Sequence, residues 1–141
     1  MHLYRPGVLS ALGSGMEATV ERLLDPAPSS LTLSDQWVAG RTLPLGQVTV
    51  PLRPFDATLP DEHRSRNNQL LWHAMAQVEP ALFAACRCFG PDRIGVVLGT
   101  STSGVDENLP AFRHTVDHGQ WQESAFSQAH QLLCSPVDFI Q

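Results

Sequence analysis

Cysteine and positive charge are both scarce in this 141-residue chain, with three cysteines and nine Lys+Arg set against fourteen Asp+Glu. Three thiols do not make a disulfide framework. Cys86 and Cys88 lie two apart on a helical pattern, too close to bridge comfortably, and Cys134 stands alone in LLCSPVDF. A net charge of −5 and a pI near 5.6 argue against nucleic acid as the main partner. No stretch approaches the roughly 18 apolar residues that span a membrane, so no membrane partner is expected. The opening MHLYRPGVLSALG has neither the apolar core nor the cleavage site of a signal peptide, and the cytoplasm is the expected compartment. What remains is a globular composition, with 43% hydrophobic and 16% charged residues and a mean hydropathy of −0.10. The length suits one domain or part of a larger one.

The chain is organised around residues 93–104, RIGVVLGTSTSG. Ile94, Val96, Val97 and Leu98 form a short β-branched block between Gly-Pro and Gly-Thr-Ser, which predicts a buried strand. Beyond it, Gly99-Thr100-Ser101-Thr102-Ser103-Gly104 carries no bulky side chain, and Asp106, Glu107 and Leu109 read as a first helical turn. Strand, small-residue loop and helix make an α/β crossover, where such folds place ligands at strand carboxyl ends. The Gly99…Gly104 spacing imitates a phosphate-binding loop, but Val105-Asp106 stands where Lys-Ser/Thr belongs, and two carboxylates there would repel a phosphate. The simpler local reading is a tight turn with Ser103 as N-cap and Asp106 completing a capping box. That reading leaves room for a substrate pocket above the strand.

Along the chain, residues 3–9 suit a short strand weakened by Pro6, and Ala11-Leu12-Gly13 turns back. Ser14-Gly15-Met16-Glu17 spells a capping box. It opens a helix with Met16, Val20, Leu23 and Leu24 on one face, ended by Asp25-Pro26. Residues 26–60 hold many prolines and read as a long irregular connection with one or two strands, residues 47–50 alternating best. Residues 65–89 carry a continuous helical stripe, Leu71, Met75, Val78, Leu82 and Cys86, with a kink expected near Gln77 because of Pro80. Asn67 and Asn68 suit capping at its start. Residues 105–116 form a weak helix broken at Pro110, and residues 120–133 a better one around Trp121, Ala125, Ala129, Leu132 and Leu133. Ser135-Pro136 then reads as the N-cap and N1 pair of one more helix, with only five residues left to build it. That is the pattern expected of a fold cut short. His114 and His118, with Asp117 between, could share a metal on a helix face, yet no third or fourth ligand lies nearby. A solvated polar face is the simpler reading, and no metal or cofactor is expected.

Three ordered blocks carry a resemblance: Gly7-Val8-Leu9-Ser10-Ala11-Leu12-Gly13, Arg64-Ser65-Arg66-Asn67-Asn68-Gln69-Leu70-Leu71, and residues 93–104. Over essentially all 141 residues the chain resembles the amino-terminal portion of the β-ketoacyl-acyl-carrier-protein synthases, thiolase-fold condensing enzymes. The last two blocks look most like the synthases of bacterial aryl-polyene-type pigment clusters. The fold class so implied is α/β, an incomplete thiolase-like layered fold of short strands with packed helices. The chain would be the amino-terminal part of the synthase's N-terminal domain.

The resemblance implies a family activity, decarboxylative Claisen condensation of acyl and malonyl thioesters in fatty-acid or polyketide synthesis. The family's nucleophile is a cysteine in a T-A-C-S/T-S-type motif at a helix N-terminus, where the dipole favours thiolate. That motif is missing from these residues, and the family's catalytic histidines belong to its second half. No catalytic residue is therefore expected among Cys86, Cys88, Cys134 or the histidines, and the chain alone is expected to be inactive. Two features do map onto it. Thr100, Thr102 and Ser103 fall in the loop that borders the acyl pocket, with Thr102 against the growing chain. Arg64 and Arg66 fall where the family offers positive charge to the acidic acyl carrier protein, their plainer reading being a solvated helix start. The alternative function is a non-catalytic condensing-fold subunit that binds a complete synthase or the carrier protein. A homo-oligomer or a partner synthase subunit is expected in either case, because incomplete sheets leave edges and apolar faces open.

Overall fold

A computed structural model of the chain describes residues 6–26, 30–101 and 103–141. Thr102 and the first part of the strand expected over residues 3–9 lie outside them. The chain divides into two compact units, one of residues 1–52 and 73–84, the other of residues 53–72 and 85–141.

In the first unit, Leu9–Ser10 (β1) pairs antiparallel with Gly13–Ser14 (β2), in the register Leu9 to Ser14 and Ser10 to Gly13. Ala11 and Leu12 form the expected turn, tightened by the Leu12 N–H donating to Ser10 Oγ at 3.1 Å. Helix α1 spans Met16–Leu24, but its capping box does not form. Gly15 is the N-cap and no side chain caps it, because the Ser14 hydroxyl is turned to His73 Nε2 at 2.9 Å. The apolar stripe is present but uncovered, with Leu23 68% and Leu24 76% exposed. The proline-rich connection holds two strands, Thr32–Ser34 (β3) and Leu43–Leu45 (β4), paired antiparallel with Leu33 opposite Pro44. The strand expected at residues 47–50 is absent, since β4 forms just before Gly46 and Pro51 offers no ladder donor.

The kinked helix expected over residues 65–89 is two helices, Arg66–Met75 (α2) and Glu79–Phe89 (α3). Pro80 is the second residue of α3. Its ring would collide with the carbonyl four residues back, and it has no N–H to continue the ladder. The chain instead closes a tight turn, with Val78 N–H donating to Met75 O at 2.9 Å, and restarts. The stripe Leu71, Met75, Val78, Leu82 and Cys86 is half-buried along its length.

In the second unit, residues 94–98 do not form the buried strand expected of them. The backbone is extended at Ile94 (φ −101°, ψ 115°), but no described segment pairs with the run, and Val97 is 100% exposed. β-Branched side chains favour extended backbone, while a strand also needs a hydrogen-bonded neighbour. Residues 105–108 form a short 3₁₀ turn leading into helix α4, Leu109–His118. The N-cap of that 3₁₀ turn is Gly104, with no side-chain cap, so the expected Ser103/Asp106 box is also absent. Pro110 starts α4 instead of breaking it, because a missing N–H costs nothing in a first turn. Gly119 ends it in the left-handed region, φ 68°, its N–H bonded to Thr115 O at 2.8 Å.

The helix expected over residues 120–133 is replaced by two 3₁₀ turns, Glu123–Ala125 and Ala129–Gln131. The fully buried Asn108 explains this. Its Nδ2 donates to Ser127 O and its Oδ1 accepts Ser127 N–H, both at 2.8 Å, so the backbone groups a helix would use are taken. Phe112, Trp121 and Phe126 pack as one cluster, with Trp121 and Phe126 centroids 5.2 Å apart. The last helix, Ser135–Ile140 (α5), has Cys134 as N-cap, one residue before the expected Ser135, and buries Ser135 and Pro136. From it Phe139 meets Phe55 edge-on at 5.7 Å and Trp72 at 6.0 Å. The Arg53 guanidinium lies 3.9 Å above the Trp72 ring.

Among the described residues the buried set is unusual in kind. Ala111 is the buried hydrophobic residue, while Ser65, Asn68, Ser103, Asn108 and Ser135 are buried polar ones. Valines, leucines and aromatics that would normally fill a core are exposed instead. No helix among the described residues is long and apolar enough to cross a membrane.

Candidate functional site

The site is built where the start of α2 meets the glycine loop. Ser65, 2% exposed, caps α2 by accepting the Asn68 N–H on its Oγ at 3.1 Å. Asn68 is fully buried and donates from Nδ2 to His63 O at 3.0 Å. Glu107 reaches back from beyond the loop, and its Oε1 accepts the Arg66 N–H at 2.6 Å. A carboxylate at a helix N-terminus satisfies an orphan donor and suits the dipole. Gly104 presses against this cap, and a Cβ placed on it would stand 2.6 Å from Ser65 Cβ. Two of the three blocks that carry the resemblance are therefore locked together.

Between them lies an open cleft of about 380 Å³, lined by Arg66, Asn67, Leu70, Ser103, Val105 and Glu107 among others. Of the residues expected to carry function, Arg66 and Ser103 both line it. Thr100 is half-buried and is not among the lining residues, and Thr102 falls outside the described residues. Arg64 works elsewhere. Its Nε donates to Leu59 O at 2.9 Å, and one terminal nitrogen donates to Asp56 O at 2.9 Å and Ala57 O at 3.0 Å. Asp61 lies 3.4 Å from the same guanidinium. Arg64 thus clamps the turn before α2, while Arg66 stays exposed at its first residue. Within that turn Asp56 accepts the Thr58 hydroxyl at 2.6 Å and the Thr58 N–H at 2.8 Å. These bonds, with a smaller contribution from Arg64, hold its carboxyl below its usual value.

The cleft offers a guanidinium, a side-chain amide, a buried hydroxyl, the carboxylates of Asp106 and Glu107 and the apolar Leu70 and Val105, but no thiol or imidazole lines it. Cys86 is half-buried, Cys88 and Cys134 are exposed, and all three are free. His114 and His118 stack at 4.3 Å, with His118 Nδ1 donating to the His114 carbonyl at 3.1 Å. Among the described residues no three His, Cys, Asp or Glu side chains converge to hold a metal. Sequence reasoning assigned Glu107 to the start of its own helix and missed that its carboxylate serves α2, 41 positions back. Nothing in the local pattern marks that pairing.

No protein-family model matches the sequence, and no curated protein does. Among solved structures, the complex of ketosynthase ApeO with its chain length factor ApeC from Xenorhabdus doucetiae contains a chain 33% identical to this one, with a TM-score of 0.77 over 95% of its length. The fold is ketosynthase-like. That likeness supports the expected ketosynthase-type, thiolase-like fold, and the elements are helices and short strands. The chain spans about a third (34%) of the length of the ketosynthase-complex chain that it matches.

Proposed function

We propose that this chain is the amino-terminal third of a β-ketoacyl synthase fold. It would supply part of the acyl pocket and a carrier-protein contact for decarboxylative condensation of acyl and malonyl thioesters. The observation that carries the reading is the 33% identity and TM-score of 0.77 over 95% of the chain. The meeting of Arg66 and Ser103 at one cleft supports it, since the family resemblance assigns one to the carrier protein and the other to the pocket loop. No T-A-C-S/T-S-type segment occurs in the sequence, so the nucleophile would come from the remaining two thirds of the fold.

A second reading, a non-catalytic subunit that pairs with a complete synthase, is favoured by the uncovered apolar surface at Val97, Leu23 and Leu24. It also fits the neighbour, which is a ketosynthase assembled with a chain length factor. The test is to combine the chain with a separately produced polypeptide carrying the later two thirds of a ketosynthase, and in parallel with an intact one. Condensation that appears only with the two-thirds polypeptide supports the first reading. Stable binding to the intact synthase without added activity supports the second. Binding to neither contradicts both. The chain alone is expected to turn over no acyl thioester with malonyl-carrier protein.

A further inference from the structure

Ser14 and His73 take no part in the reading above, and they sit in the other unit. Gly13 (φ 139°) and Gly15 (φ 95°) flank Ser14 with backbone that L side chains rarely adopt. The Ser14 hydroxyl is 2.9 Å from His73 Nε2, and Gln77 Nε2 donates to it at 3.3 Å. The orientation of the Gln77 amide is fixed independently. Its Oε1 accepts the Val8 N–H and its Nε2 donates to Val8 O, each at 2.9 Å. Gln77 therefore supplies a proton to the Ser14 oxygen. Among the described groups His73 Nε2 is the acceptor placed for the Ser14 hydroxyl proton, and the tautomer with its proton on Nδ1 lets the Ser14 O–H donate to it. A serine hydroxyl donating to an unprotonated imidazole nitrogen is the nucleophile and general-base arrangement.

Ser14 opens on a cleft of about 520 Å³ that Gly15, Met16, Glu17, Ala18 and Gln77 also line. The hydroxyl that would have capped α1 is the one given to His73, and α1 has no side-chain cap. The first-turn N–H groups of Met16 and Glu17 therefore have no side-chain cap, and they are the backbone donors next in sequence to an oxygen that gains negative charge at Ser14. Glu17 and Glu21 on the cleft wall disfavour anionic molecules.

We propose that Ser14 and His73 form an acyl-accepting site for small neutral activated esters or thioesters. Ser14 Oγ attacks the acyl carbonyl carbon as its proton passes to His73 Nε2. The carbon–oxygen or carbon–sulfur bond to the leaving group then breaks, and the leaving group takes that proton. The acyl group stays on Ser14 as an ester, with no oxidant or reductant required.

The test uses p-nitrophenyl acetate on the chain after its thiols are blocked with N-ethylmaleimide. All nine Lys+Arg residues are arginine, so the N-terminus is the sole competing amine. The expected result is one acetyl group, mapped to Ser14, with one equivalent of p-nitrophenolate released. Ser14→Ala should abolish the adduct, and His73→Gln should slow it about 100-fold with an unchanged circular dichroism spectrum. If His73→Gln does not fold, His73→Asn takes its place and should slow the reaction to the same degree. An adduct at Ser14 indifferent to loss of His73, or acetyl spread among several serines, overturns the assignment.

Discussion

Replacing Gly104 with alanine probes the junction on which the candidate site depends. The backbone there has φ −76°, which any L residue adopts, so the substitution carries no conformational strain of its own. The effect is steric. The new methyl would sit 2.6 Å from Ser65 Cβ, 3.0 Å from Glu107 Oε2 and 3.2 Å from Ser65 Oγ. Ser65 is buried and its hydroxyl caps α2, so it cannot swing aside without leaving the Asn68 N–H unbonded. Overpacking of this kind costs about 1–3 kcal/mol, and a lost cap about 1 kcal/mol more. Together they predict a loss of about 2–4 kcal/mol in urea unfolding. Ser65→Gly removes the colliding atom, so Gly104→Ala made in that background should cost about 1–2 kcal/mol less than in the original chain. A Gly104→Ala variant within about 0.5 kcal/mol of the parent, or one equally costly with and without the Ser65 side chain, would refute the packing described.

Four further outcomes follow from other features of the structure. Asn108→Ala should destabilise by about 2–3 kcal/mol, because two bonds to Ser127 are lost and their backbone partners stranded; hydrogen exchange at the Ser127 amide should accelerate, and unchanged protection would count against it. The Asp56 carboxyl is held below its usual 3.8 in the folded chain, so its turn is fully stabilised above that value and loosens as pH falls through the lower folded one; a Thr58 amide resonance that does not move on acidification would contradict this. On the proposed function, Arg66→Glu should weaken carrier-protein binding through a slower, salt-sensitive association rate. Adding Arg64→Glu should cost fold stability as well, since that guanidinium holds three carbonyls. Unaltered binding at low ionic strength would return Arg66 to a solvated helix start.

Much of the helix pattern was legible because it depends on local chemistry. Residues 16–24 show period and stop in the sequence, and Pro80 announces the division of residues 65–89, though as a kink and not the full break between α2 and α3. What could not be read is set by groups distant in the chain. Ser14 has the spacing of a cap, yet His73, 59 positions on, takes its hydroxyl. Residues 120–133 have helical spacing, yet Asn108, 19 positions back, takes the Ser127 backbone. The apolar run at residues 94–98 reads as a buried strand, but beyond extended backbone at Ile94 none forms, because a strand needs pairing that no described residue supplies. At the site, Arg66 and Ser103 were expected from the resemblance, while Glu107 and Gly104, which join their elements, were not visible as partners.

The most direct measurement on the proposed function, that this chain is part of a larger condensing assembly, is its sedimentation as a function of concentration with an apolar dye present. The exposed Val97 and the uncovered α1 stripe predict concentration-dependent association, with dye binding that falls when the later two thirds of a ketosynthase are added. A sharp monomer at high concentration, with no dye-accessible surface and no response to that addition, would contradict it.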